Sequence, residues 1–191
     1  ADALPAQIAD IRLANAARAV GAVAAVEHFA SVERDQLRAI FVRGTLLPGN
    51  LTDVAEIVGA REQRDAEFHR VATAEEAAIY DDEIRGTDVD NAAKMSAGAL
   101  AADQNPAGLK VDGDAWYTAQ SNVIRRLNLV GLRVSEKLDA QAAVVRRERD
   151  VVAAANRRVG ISQHVRGVDD DVGAVLQEAA HRRVGVADVE P

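Results

Sequence analysis

Apolar residues recur every third or fourth position along nearly the whole chain, the spacing of helices with one buried face. In the N-terminal segment Ile8, Ile11, Leu13, Ala17, Val20, Val23, Ala24 and Phe29 keep this rhythm, and Val32, Leu37, Ile40 and Phe41 extend it. Pro5 suits a first helical turn, and Gly44 with Leu47-Pro48-Gly49 ends the run. The pattern predicts one long helix, or two stacked end to end. Gly21 would either kink it or admit a close neighbour.

Asn50 and Thr52 are candidate N-caps for a second helix with the stripe Val54, Ile57, Val58, Arg61, Phe68 and Val71. Thr73 followed three residues later by Glu76 reads as a capping box. It opens a short helix through Tyr80 and Ile84, and Thr87 or Asp88 caps another through Val89, Ala93, Met95 and Leu100. Residues 104–113 form a loop, and Asp112 or Asp114 caps the best-defined element. Its apolar positions run from Trp116 through Leu127, Val130, Val134 and Leu138 to Val145. Residues 116–145 are expected to be one continuous helix along the first, burying Trp116, Leu127, Val134 and Leu138. With the charged run that follows it would extend to roughly 40 residues and about 60 Å. Beyond Gly160 the pattern weakens, and the acidic triplet 169–171 is expected to cap a separate final helix. No alternating strands with hairpin turns are visible. The expected fold is all-α, an elongated antiparallel helical bundle with long helices. Residues 1–150 would form the bundle and 151–191 a C-terminal helical extension.

Composition sharpens this picture. Hydrophobic residues make up 48% and charged residues 28%, as in globular chains, while aromatics are only 3%. Such an Ala-rich core suits helices, because sheet cores draw on β-branched and aromatic residues. A net charge of −7 over 191 residues argues against a nucleic-acid surface. With no cysteine, disulfides, thiolate metal sites and Cys nucleophiles are excluded. No apolar stretch reaches the ~20 residues of a transmembrane helix. A chain beginning at Ala1 without a signal peptide reads as an excised piece of something larger.

Motifs for catalysis are missing. The four histidines show no HExxH spacing, and Glu178 with His181 is a single i, i+3 pair where a di-iron bundle uses two such motifs and two further glutamates. No glycine pattern forms a phosphate loop, and no serine sits in a nucleophile elbow. An enzyme and a bound cofactor are therefore not expected. What remains is arginine: only three lysines occur, and Arg12, Arg18, Arg34, Arg125 and Arg126 fall within helical patterns. An inward guanidinium needs a carboxylate or a bound anion, whereas an outward one lies along the surface.

The succession of Glu33-Arg34-Asp35-Gln36-Leu37, Gly44, Phe68 in DAEFHRVATAEEAAIY, the stretch 80–86, and Trp116 in VDGDAWYTAQSNVIRRLNLV resembles the C-terminal half of nitrate- and nitrite-sensing (NIT) domains. It is similar in particular to the extracytoplasmic sensors of actinobacterial receptor histidine kinases, over roughly residues 4–145. The family's first half, with its ERG-like motif, has no counterpart here. The resemblance implies a non-enzymatic sensor on the outer side of the cell membrane, tethered by the parent receptor and signalling to a cytoplasmic kinase. It implies a small oxyanion such as nitrate or nitrite held by arginines, carried over to Arg12 and Arg34. Long helices with Ala-rich faces further suggest a homodimer in the full-length receptor. The competing expectation is a structural or protein-interaction bundle without a ligand, in which Glu27 or Glu33 takes the oxyanion's place.

Overall fold

A computed structural model describes the backbone of residues 3–184 and the side chains of residues 11–155 and 157. Among the described residues 87% are helical and none is in a strand. The order is α1 (Ala3–Arg43), α2 (Asn50–Val71), α3 (Ala74–Glu83), α4 (Thr87–Leu100), a 3-10 turn (Pro106–Leu109) and α5 (Gly113–Val184). Two compact units divide it, 1–142 and 143–191. The first holds the core described below. The second, where described, is α-helical.

Helix α1 is single and passes through Gly21 without a break. A Cβ built at Gly21 would meet nothing within 4 Å, so no neighbour approaches there. The close approach occurs instead between α4 and the 3-10 turn, where a Cβ on Gly108 would lie 2.0 Å from the Gly98 carbonyl oxygen. Only glycine fits that contact.

The turn from α1 to α2 uses Gly44 and Gly49 at positive φ, which relieves the Cβ clash of that region. Gly49 is the N-cap of α2, without a side-chain cap. Asn50, expected to cap, instead accepts from Leu47 N–H at 3.0 Å and from Arg43 Nη2 at 2.8 Å, closing the turn. Gly86, not Thr87 or Asp88, is the N-cap of α4. The capping box of α3 forms as the sequence predicts, with Thr73 Oγ1 accepting from Glu76 N–H and Glu76 Oε2 accepting from Thr73 N–H. Asp112 caps α5, its Oδ1 accepting from Asp114 N–H at 2.8 Å.

Within the first unit α5 runs alongside α1 in the opposite direction. Asp114 meets Arg38, Trp116 Nε1 donates to the Arg34 carbonyl at 2.9 Å, Gln120 reaches Ala30, and Gly131 faces Val23. The core follows this seam. Val23, Leu37, Ile40, Phe68, Trp116, Leu127, Val130 and Val134 are all buried, and Trp116 stands edge-on to Phe41. Leu138 is only half-buried, since the seam opens beyond Val134. The separate final helix expected from 169–171 does not form: α5 continues through Gly160 and the acidic triplet. One glycine costs a helix roughly 1 kcal/mol, too little by itself to end it.

Leu127 is 2% exposed and touches both the seam and an adjoining cavity. Leu127→Ala should lower the free energy of unfolding by about 2–5 kcal/mol, read from urea denaturation. A neutral alanine variant would contradict its place in the core.

Candidate functional site

Each of four helices carries one polar residue within its buried stripe. In α1 the stripe runs Val26, Ala30, Glu33, Leu37, Ile40, in steps of four and three. In α5 it runs Trp116, Gln120, Val123, Leu127, Val130, Val134, and in α4 Ala92, Ser96, Ala99. Helix α2 places Arg61 three residues beyond Val58 on the same face. Because these spacings face the partner helices, Glu33, Gln120, Ser96 and Arg61 are brought to one point.

They meet at the Glu33 carboxylate, whose side chain is fully buried. Arg61 Nη1 lies 2.7 Å from Oε2, and Ser96 Oγ donates to Oε1 at 2.6 Å. Gln120 Nε2 lies 3.5 Å from Oε2 and donates to the Ala30 carbonyl at 3.3 Å. Both carboxylate oxygens are therefore matched. Burial nonetheless raises the Glu33 pKa above its ordinary 4.5, against the lowering effects of Arg61 and Ser96 and with a further rise from Glu62. The direction follows from geometry. The Glu33 side chain is fully buried, whereas the Arg61 side chain keeps 25% of its exposure and its charge is partly screened.

Beside this node lies a cleft of about 190 Å³ bounded by all five helices. Val26, Ala30, Val123 and Leu127 give it apolar walls, while Glu62, Asp65 and Tyr80 line another side. Burial first, then the hydrogen bond and charge of Asp65, push the Tyr80 hydroxyl pKa up, so Tyr80 stays a neutral donor. An anion entering here would face Glu62 and Asp65, with Arg61 already paired to Glu33. The cleft's electrostatics oppose a second anion.

The two arginines singled out from the sequence lie elsewhere and apart. They are 22 residues apart on α1, which at 1.5 Å per residue is about 33 Å, so no single small ligand touches both. Arg12 is exposed and borders a pocket of about 370 Å³ with Asn15, Thr73, Glu76 and Gln141. Arg34 is half-buried, its Nε 3.0 Å from Asp35 Oδ1 and its Nη1 3.4 Å from Ser121 Oγ. Its guanidinium lies over the Tyr117 ring at 4.6 Å, and that of Arg38 over the same ring at 4.7 Å. Among the described residues no cluster of three or more metal-ligating side chains occurs. The side chains of Glu178 and His181 lie outside the described residues.

The sequence reading missed Arg61, Ser96 and Gln120 as one constellation. The signal was present as a single polar residue inside each apolar stripe, and only the packing shows that the four converge. Removing Arg61 leaves a buried charge that cannot reach water, whereas Arg61 can turn outward if Glu33 is neutralised. Arg61→Ala should therefore cost about 3–5 kcal/mol, and Glu33→Gln less than about 1 kcal/mol net. The folded state holds the Glu33 proton more tightly than the unfolded chain, so stability rises as pH falls from the raised folded pKa towards 4.5. Urea unfolding across this window should show that rise in the wild type, and Glu33→Gln should remove it. An unchanged slope in the variant would contradict the assignment.

No curated protein and no solved structure matches the chain. Among the described residues, no helix is long and apolar enough to cross a membrane. The sequence profile described as nitrate and nitrite sensing matches residues 1–143 of the 191, covering the helical unit that contains the Glu33 node and both Arg12 and Arg34. By that match the chain belongs to the NIT family of nitrate- and nitrite-sensing domains.

Proposed function

We propose that this sensing domain is the extracytoplasmic part of a membrane histidine kinase, and that it binds nitrate or nitrite and passes the bound state on through α1 and α5. Membership of the sensing family supports the first part. The observation that carries the oxyanion is the guanidinium pair of Arg34 and Arg38 over the Tyr117 ring. Their present partners, Asp35 and Asp114, are 65% and 81% exposed. Such surface pairs are weak, so a planar oxyanion accepting from both guanidinium forks can replace them.

The position suits a sensor. Arg34 belongs to α1, while Tyr117 and Ser121 belong to α5, and Trp116 is hydrogen-bonded to the Arg34 carbonyl. An anion drawn between these groups changes the fit of α1 against α5 beside the Glu33 node. Leu129 and Leu132, exposed on α5, fit the expected pairing of two copies in the full-length receptor. Arg12, the other arginine carried over from the resemblance, borders a pocket that also holds the Glu76 carboxylate, which opposes a bare anion, so the oxyanion reading rests on Arg34.

A specific observation favours the ligand-free alternative. The Glu33 carboxylate is itself planar and singly charged, and an arginine, a hydroxyl and an amide hold it as they would hold nitrate. Under that reading the chain is a structural or protein-interaction bundle with its anion built in.

Thermal melts in nitrate, nitrite and chloride at matched ionic strength separate the two. A ligand of the folded state stabilises by about 2.7 kcal/mol at a hundredfold excess over Kd. Nitrate or nitrite should raise Tm above the chloride value, and Arg34→Ala should abolish the difference. Identical melts in the three salts would leave the ligand-free reading.

A further inference from the structure

The geometry points to a second ligand site in the unit 1–142, at the Arg12–Glu76 pocket, that takes a small zwitterion bearing an ammonium close to a carboxylate, the chemistry of a free α-amino acid. It rests on the reading of the chain as a sensory domain, but not on the oxyanion site at Arg34.

The key observation is Glu76. The residue is 1% exposed, and its Oε2 accepts from the Thr73 N–H at 2.7 Å and from the Thr73 hydroxyl at 2.9 Å. The capping box thus occupies one oxygen. The other, Oε1, is buried and has no hydrogen-bond partner among the described residues. An acceptor withdrawn from water and left unmatched is rare in folded proteins and asks for a donor.

The same pocket offers the opposite charge. Arg12 borders it and forms no ion pair among the described residues, and neither Asn15 nor Gln141 has a hydrogen bond among them. The volume, about 370 Å³, lies within the range of small-molecule pockets, roughly 300–1,000 Å³.

These charges select the ligand class. A bare anion attracted to Arg12 is repelled by Glu76, and a bare cation attracted to Glu76 is repelled by Arg12. A zwitterion satisfies both, its ammonium donating to Glu76 Oε1 and its carboxylate accepting from the Arg12 fork. The Asn15 and Gln141 amides can donate to one end or accept from the other.

The test is calorimetric titration of the 191-residue chain with glycine and L-alanine, with acetate and methylammonium as half-ligands at matched ionic strength. Glycine or L-alanine should bind at least tenfold tighter than either half-ligand. Glu76→Gln keeps a carbonyl oxygen for the cap and places an amide where the ligand ammonium would sit. It should weaken binding at least tenfold, as should Arg12→Ala at its exposed position. Circular dichroism checks that both variants remain helical. The proposal is overturned if neither amino acid binds the wild type, or if both variants keep its affinity. It also fails if Arg12→Ala destabilises the free protein while glycine has no effect, because Arg12 then serves as the internal partner of Glu76. Nitrate melts of the same preparation keep the two readings apart: a nitrate response without glycine binding overturns this site alone, and glycine binding without a nitrate response overturns only the oxyanion.

Discussion

A carboxylate cut off from water has to be matched by the chain itself, and Glu33 is matched by residues of three other helices. Arg61 of α2, Ser96 of α4 and Gln120 of α5 converge on it from the buried stripes of their own helices. Apolar side chains tolerate many small slips of one helix along another. A buried charge with directed partners does not, because a slip of one residue would leave it unmatched. Polar groups in helical seams have their best-attested role in fixing register, and the Glu33 node can do so for α1, α2, α4 and α5 together. The Ala-rich surroundings, with Ala30, Ala92 and Ala99 buried nearby, let the backbones come close enough for short side chains such as Ser96 to reach.

Around this point the unit separates its charges. The cleft beside the node carries Glu62 and Asp65, while the guanidinium pair of Arg34 and Arg38 lies over Tyr117. Arg34 follows Glu33 directly in the chain, so a ligand on the outer guanidinium acts one residue from the buried carboxylate. This adjacency gives a sensing domain a short route from surface occupancy to helix register. The Arg12–Glu76 pocket lies towards the other end of α1, where the α3 cap leaves one carboxylate oxygen unmatched.

The helices were legible in the sequence because their apolar spacing is strong and local. The α3 capping box was legible too, since Thr73 and Glu76 satisfy each other within one turn. The caps at Asn50 and at Thr87 or Asp88 were misplaced because glycine at positive φ took over the turn, leaving Asn50 to close the loop. The end expected near 160–171 was not an end, because α5 continues there and a single glycine costs a helix too little by itself to stop it. The candidate site was only half visible. Arg12 and Arg34 announced themselves as charges among apolar residues, and Glu33 as a candidate internal partner. That Arg61 would be that partner depends on how α2 packs against α1, which no local pattern encodes.

The most direct test of the central claim is a double-mutant cycle between Glu33 and Arg61, using Glu33→Gln and Arg61→Ala and measured by urea unfolding at neutral pH. Once Glu33 is neutral, removal of Arg61 no longer strands a buried charge. The account predicts a coupling free energy within the upper part of the 0.5–3 kcal/mol typical of contacting residues, roughly 2–3 kcal/mol. The exposed Arg38–Asp114 pair, measured the same way, should give about 1 kcal/mol or less. Coupling at Glu33 and Arg61 no larger than at that surface pair would contradict the claim that this buried node organises the bundle.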